Sequence, residues 1–156
     1  MAASPAYLDG LKLLARRELS EAQVRQRLAR RGHSLESVDE AVTRLRAEGA
    51  IDDARVAGAI ARTQTSVRRR GRRRVRMQIE QAGIDRHLAR CAVDEAFADV
   101  DEDAVLEAAL ARRLRGRDAI ADDRELDRVY RYLLRQGFDG DRVLAALRRK
   151  KLKSSE

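Results

Sequence analysis

The chain has 156 residues, a formal net charge of +8, 44% hydrophobic residues, 3% aromatic residues and one proline. Its length fits one or two ordinary domains or a short array of repeats, and its Ala-, Leu- and Arg-rich composition favours helix nearly everywhere. The single cysteine excludes an intrachain disulfide, and no stretch is long and apolar enough to span a membrane. No strand pattern and no secretory signal is evident, so we expect a cytoplasmic helical protein.

The predicted helices group into three consecutive units of three helices each, at residues 6–50, 51–98 (the basic one) and 99–150. A serine or aspartate just before a run of apolar residues at helical spacing marks a helix start, because its side chain caps free backbone N–H groups. The N-cap candidates are Ser20, Ser34, Asp52 or Asp53, Asp85, Asp122 or Asp123, and Asp139 or Asp141. We expect residues 1–5 to form a disordered N-terminus and residues 151–156 to form a basic tail that frays.

A helix–glycine–helix phrase recurs in all three units, with an apolar pair eight and four residues before the glycine. The three phrases are Val24 and Leu28 before Gly32, Val75 and Ile79 before Gly83, and Val129 and Leu133 before Gly137. Such recurrence at near-equal spacing indicates tandem repeats. The predicted fold is therefore all-α, with three tandem three-helix repeats that resemble helix-turn-helix units. Stacking of the repeats would make it elongated and able to curve. Val75, Ile79 and Leu28 should lie in the core.

The middle unit carries most of the positive charge, because the segment from Ala54 to Ile79 contains nine arginines and no acid. Seven of them lie close together: Arg68, Arg69, Arg70, Arg72, Arg73, Arg74 and Arg76. We expect Gly71 to break the helix within this run, and Arg73 and Arg74 to lie opposite the buried face. The alternative is that the arginines only form a solvent-exposed surface, but such surfaces usually carry both positive and negative residues. The run therefore predicts one continuous positive surface that docks a polyanionic or acidic partner.

No pattern of catalytic or metal-binding residues appears in the sequence. The HExxH, P-loop, Rossmann and GxSxG motifs are absent, and helix capping explains the acidic pairs better than catalysis. His33 and His87 have no plausible local partner for catalysis or for a metal, so we expect loop and surface roles for both. Cys91 lies between Leu88 and Ala92 on a helix, and this position predicts a small buried thiol. We predict no enzyme activity, no catalytic residue, no metal site and no cofactor.

Three blocks of the chain resemble the RecX family of bacterial regulators of the RecA recombinase. They are LLARRELSEAQVRQRLARRGH at Leu13–His33, IDDARVA at Ile51–Ala57 joined to GRRRVRMQIEQAGI at Gly71–Ile84, and RYLLRQGFDGDRVLAAL at Arg131–Leu147. Together they cover nearly the whole chain in family order. The chain departs from the family pattern at Val56, where the family has an aromatic residue. It departs again at Arg70 and Arg72, which flank Gly71 where the family has an aromatic–Gly–Pro turn.

The resemblance implies three tandem three-helix repeats and a function in DNA repair, recombination and the SOS response. It also implies binding to the RecA filament along its groove and damping of the ATPase, strand-exchange and co-protease activities of the filament. The leading hypothesis is therefore a monomeric inhibitor of RecA whose partners are the RecA filament and single- or double-stranded DNA. The alternative is a stand-alone DNA-binding helical protein that acts through the Arg-rich middle repeat. A third hypothesis is that the protein is only a helical scaffold. The scarcity of aromatic residues disfavours base stacking, whereas phosphate contacts need only Arg and Lys.

Overall fold

A computed structural model describes the backbone of residues 2–154 and the side chains of residues 2–151. The described residues form nine α-helices and no strand, which confirms the predicted all-α class. The helices are α1 (Pro5–Arg16), α2 (Glu21–Arg30), α3 (Leu35–Ala47), α4 (Asp53–Arg62), α5 (Arg72–Gln81), α6 (Arg86–Phe97), α7 (Glu102–Arg113), α8 (Asp123–Arg135) and α9 (Gly140–Ser154). A π-helical turn, Thr63–Val67, continues α4 without a break.

The chain divides into two compact units. The first unit contains residues 1–60 and 78–92, and the second contains residues 61–77 and 93–156. Each of the helices α4, α5 and α6 begins in one unit and ends in the other, so the three central helices contribute to both.

The core of the first unit is built by α1, α2 and α3. Its largest fully buried side chains include those of Val24 and Leu28, the apolar pair of the first helix–glycine–helix phrase. Ser20 caps α2 as predicted: its Oγ accepts the Gln23 backbone N–H at 3.2 Å, and the Gln23 Oε1 accepts the Ser20 N–H at 3.0 Å. The Ser20 hydroxyl also donates to the carbonyl of Ala82, which joins the start of α2 to the end of α5.

The core of the second unit is built by α7, α8 and α9. Its fully buried side chains include Val129 and Leu133, the apolar pair of the last phrase. Val75, Ile79 and Leu28 are all completely buried, which confirms their predicted place in the core.

The helix caps resolve most of the alternatives that the sequence left open. Ser34 caps α3, Asp52 caps α4, Asp85 caps α6, Asp122 caps α8 and Asp139 caps α9. At the N-terminus, Ser4 caps α1, so Pro5 is already helical instead of belonging to a loose segment. Proline is favoured at the first helical position because the N–H that it lacks would have no helical partner there. The backbone of α9 continues through Ser154. Met1 and residues 155–156, the ends of the predicted loose segments, lie outside the described residues.

Candidate partner-binding surface

The arginine run begins in the turn that follows the π-helical turn. The backbone N–H of Arg68 donates to the Thr63 carbonyl at 3.1 Å, and that of Arg70 donates to the Gln64 carbonyl at 2.9 Å. Between them Arg69 has a φ of 51°, in the left-handed region that residues other than glycine rarely adopt. The helical run therefore breaks within the arginine run, as predicted, and Gly71 is the last residue of the gap before α5; the left-handed residue in this gap is Arg69, whereas Gly71 has no positive φ.

Gly71 is instead required by a close approach between two backbones. Its N–H donates to the Gln136 carbonyl at 2.8 Å, and the Arg73 N–H donates to the Gly137 carbonyl at 3.3 Å. A Cβ added at Gly71 would lie 2.4 Å from the carbonyl carbon of Gly137. The start of α5 is thus fixed against the turn between α8 and α9, and this contact decides which way the following arginines point.

The structure separates the seven arginines of the run by exposure. Four are exposed: Arg68, Arg69, Arg73 and Arg76. Three are half-buried: Arg70, Arg72 and Arg74. Arg73 lies on the open side of α5 as expected, but Arg74 does not share that position. The backbone nitrogen of Arg74 would lie only 2.3 Å from a Cβ on Gly137, so this residue packs against the α8–α9 turn.

The guanidinium of Arg72 is paired with two acidic side chains of the same unit. Its Nη1 lies 2.9 Å from Asp94 Oδ1, and its Nε lies 3.0 Å from Glu102 Oε1. Its guanidinium carbon also lies 5.0 Å from the centre of the Phe97 ring. These contacts neutralise the guanidinium and hold it in place. Arg72 therefore adds little to the positive surface that the sequence predicted for all seven arginines.

A cavity of about 580 Å³ opens beside Arg73. Arg72, Arg73 and Arg76 line one side of it, and the apolar side chains of Phe97 and Phe138 line another. Glu102, Asp139 and Arg142 complete a wall of mixed charge. Arg142 is itself paired with Asp103 at 3.1 Å. Two of the four exposed arginines, Arg73 and Arg76, thus border this recess, but the recess is not uniformly basic.

Two other residues have surroundings that the sequence did not reveal. His33 does have a partner: its Nε2 lies 2.8 Å from Asp9 Oδ2, and this hydrogen bond is the main reason that the pKa of Asp9 lies below its usual value. The two residues are far apart in sequence, so no local pattern could reveal the pair.

Cys91 is exposed instead of buried, with its Sγ 3.7 Å from His87 Nε2. The buried stripe of α6 runs through Ala89, Ala92 and other residues that face away from Cys91.

The described part of the chain has no group of three or more His, Cys, Asp or Glu side chains that could hold a metal ion. Among the described residues, no helix has the length and apolar character needed to cross a bilayer.

The fold is that of an all-α protein built from repeated three-helix groups. The turn between α4 and α5 gives this protein a cationic surface. Residues 6–45 match the family model described as "RecX, first three-helix domain", and residues 52–93 match "RecX, second three-helix domain". The Regulatory protein RecX of Halorhodospira halophila is 37% identical over 147 residues, covering 93% of this chain and 88% of that protein. That of Chromohalobacter salexigens is 33% identical, covering 89% and 88%. The chain belongs to the RecX family of regulatory proteins.

Solved structures share the fold. The crystal structure of RecX from Lactobacillus salivarius matches with a TM-score of 0.71 at 19% identity, covering 92% of each chain. A second crystal structure, of a regulatory protein RecX, matches with a TM-score of 0.72 at 22% identity, covering 92% of this chain and 70% of the other.

Proposed function

We propose that this chain acts as a monomer that inhibits a RecA-type recombinase by binding its filament on DNA. The inhibition would lower the ATPase, strand-exchange and co-protease activities of the filament. Membership of the RecX family over nearly the whole chain is the observation that carries the proposal.

The proposed docking site is the arginine face, which we define as Arg68, Arg69 and Arg73. All three are exposed, and none has an ion-pair partner among the described side chains. Like charges placed so close together repel, so folding gains nothing from them and a binding role explains their presence better. Guanidinium groups also pair with phosphate or carboxylate through two parallel hydrogen bonds. A recombinase filament on DNA offers both kinds of anion.

The direct test is the ATPase activity of the cognate recombinase on single-stranded DNA, titrated with the full chain. We expect the rate to fall in a saturable manner as the chain is added. Strand exchange between a single strand and a homologous duplex should fall over the same concentration range. A recombinase whose ATPase stays unchanged at saturating amounts of the chain would sink the proposal.

Direct binding of DNA is the second candidate function, and the same exposed arginines favour it because phosphate contacts need no base recognition. Fluorescence anisotropy with labelled single- and double-stranded oligonucleotides, without recombinase, separates the two functions. A chain that binds bare DNA tightly but leaves the ATPase unchanged would be a DNA-binding protein acting alone. A chain that inhibits the ATPase and binds bare DNA weakly would act through the filament.

A further inference from the structure

A second cavity in the second compact unit, of about 530 Å³, lies at the end of α4 and the π-helical turn. We call it the π-turn cavity. Its volume falls within the range of about 300–1,000 Å³ that is typical of ligand pockets. Its walls differ in chemistry: one is polar and basic, and the other is made of small apolar side chains. No acidic residue is among the residues that line it.

The polar wall comes from four residues: Arg62, Thr65, Ser66 and Arg69. Arg62 and Arg69 are exposed and have no side-chain partner among the described residues. Thr65 is 8% exposed, and its Oγ1 is buried without a hydrogen-bond partner in the described part of the chain. A threonine in a helix ordinarily bonds to a carbonyl one turn earlier, and buried hydroxyls without a partner are rare. Thr65 is among the residues that line the cavity, so this unused donor lies beside it.

Ser66 complements that donor with an acceptor. Its hydroxyl donates to the Arg62 carbonyl at 2.6 Å, so its free lone pairs can accept an N–H group. Arg69 also lines the cavity, and its backbone is left-handed, with a φ of 51°. Such conformations persist where the surrounding structure imposes them, and they are concentrated at binding sites.

The apolar wall is formed by Ala96, Val100, Ala104, Val105 and Ala108. These side chains are small and aliphatic, so they leave room for other aliphatic groups and provide no ring for stacking. Proteins that hold single-stranded nucleic acid without reading its sequence stack the bases on aromatic side chains. The absence of an aromatic residue from this lining favours a peptide over a nucleotide.

We propose that the π-turn cavity binds an acidic peptide segment of a protein partner, with a carboxylate on Arg62 and Arg69 and small aliphatic side chains on the alanine-rich wall. The Thr65 hydroxyl completes the carboxylate site, and Ser66 accepts a peptide N–H. This assignment rests on the proposed function in one respect, that the partner is a protein. The cavity shares Arg69 with the arginine face and adds to that face a site that recognises a peptide instead of a phosphate.

The test uses the full chain and a fluorescein-labelled peptide built of glutamate, alanine and valine, followed by fluorescence polarisation. A second peptide has glutamine in place of every glutamate. We expect the acidic peptide to bind and the glutamine peptide to bind about tenfold more weakly, because hydrogen bonds to a charged group are lost. Arg62→Gln should weaken binding of the acidic peptide by about the same factor. Arg148→Gln, an exposed arginine of α9 in the same unit, is the matched control and should bind as the unchanged chain does.

Two further variants separate binding from folding. Thr65→Val removes the unsatisfied hydroxyl and keeps the shape of the side chain, so peptide affinity should fall while the melting temperature stays the same or rises. Ala104→Leu should occupy part of the cavity and also lower affinity. The assignment is overturned if the acidic peptide does not bind, or if the glutamine peptide binds equally well. It is also overturned if Arg148→Gln loses as much affinity as Arg62→Gln.

A single-stranded oligonucleotide is the competing probe. Suppose that the oligonucleotide binds, that Thr65→Val and Ala104→Leu weaken its binding, and that the acidic peptide does not bind at all. The cavity is then a nucleic-acid site and the peptide assignment is wrong. Because the peptide assay contains no recombinase, its outcome is independent of the ATPase titration. Peptide binding without ATPase inhibition would sink only the proposed function, and inhibition without peptide binding would sink only the cavity assignment.

Discussion

Gly71 and Gly137 pack backbone against backbone in the second compact unit. A Cβ on Gly71 would lie 2.4 Å from the carbonyl oxygen of Gly137 and 2.6 Å from the nitrogen of Phe138. Real Cβ atoms essentially never come so close, and the atoms in the way are backbone atoms that cannot rotate aside. The contact sets where α5 starts, and hence where Arg73 of the arginine face lies.

Gly71→Ala should therefore destabilise the second unit. We expect a loss of about 1–3 kcal/mol in the free energy of unfolding, because the added methyl overpacks the contact. Urea unfolding followed by circular dichroism measures this. Gly140→Ala is the control, since its nearest neighbours would be ordinary contacts at 3.4 Å and 3.7 Å and it lies in α9. That variant should be neutral or slightly stabilising. Equal effects of the two substitutions would contradict the packing role of Gly71.

Ile79→Ala should cost about 2–5 kcal/mol of unfolding free energy, because Ile79 is 0% exposed and its removal leaves a cavity. The control is Met77→Ala on the same helix, where the side chain is 39% exposed and the loss should be much smaller. Both values come from urea unfolding under identical conditions. A loss of only a few tenths of a kcal/mol for Ile79→Ala would show that the buried stripe of α5 is not part of the core.

Replacing the arginine face should weaken binding to recombinase filaments on DNA without loss of helicity. The variant combines Arg68→Ser, Arg69→Ser and Arg73→Ser, and binding is measured over a series of salt concentrations. If the partner groups are phosphates, each lost contact should lower the log–log salt slope by about 0.7–0.9.

The matched control for the arginine face is the triple replacement of Arg16, Arg17 and Arg30, which are exposed on the first unit and carry the same total charge. It should keep most of the affinity and most of the salt slope. If the two triple variants lose binding equally, net charge and not the arginine face governs docking. Arg72→Gln should also leave docking nearly unchanged, since its charge is already paired with Asp94 and Glu102.

The stability contribution of Glu125 should disappear in acid. The Arg117 guanidinium, and next the backbone N–H of Ala121 at 2.7 Å, lower the pKa of Glu125 to about 2 from its usual 4.5. Since this pKa is depressed in the folded protein, the ionised carboxylate stabilises the fold above the unfolded-state pKa. The contribution is lost as the pH falls through the interval from 4.5 to about 2.

Glu125→Gln should accordingly be less stable than the unchanged chain near neutral pH, and the difference should shrink as the pH approaches 2. Urea unfolding at the two pH values gives the comparison. Glu95→Gln, at an exposed acid of α6 in the same unit, should change stability little at either pH. A difference for Glu125→Gln that does not depend on pH would show that the carboxylate is not the stabilising group.

Cys91 should react as an exposed thiol. We expect iodoacetamide to label the folded chain to the same extent as the urea-unfolded chain, because the Cys91 side chain is open to solvent. Mass spectrometry counts the adducts, and Cys91→Ser should abolish them. If iodoacetamide labels Cys91 only after unfolding, the thiol is buried, as the sequence pattern predicted.

Local sequence determined the helices and most of their ends. Apolar residues at helical spacing predict a buried stripe wherever a helix forms, and Leu28, Val75 and Ile79 are indeed fully buried. N-capping is equally local, because a cap side chain bonds to a backbone N–H two or three residues later. For that reason Ser20 and Ser34 could be assigned as caps from the sequence. Choosing between neighbouring acids such as Asp52 and Asp53 needed coordinates, since either could reach the helix start.

The composition of the arginine run was plain in the sequence, but the tertiary structure decided which arginines are exposed. Arg72 is neutralised by Asp94 and Glu102, which lie well beyond it in the chain. Arg74 is half-buried because Gly137, from another helix junction, packs against its backbone. The π-turn cavity likewise unites residues 62–69 with residues 96–108. Helical periodicity reports which side of one helix is apolar, whereas ion pairs, close backbone contacts and cavities depend on atoms that only folding brings together.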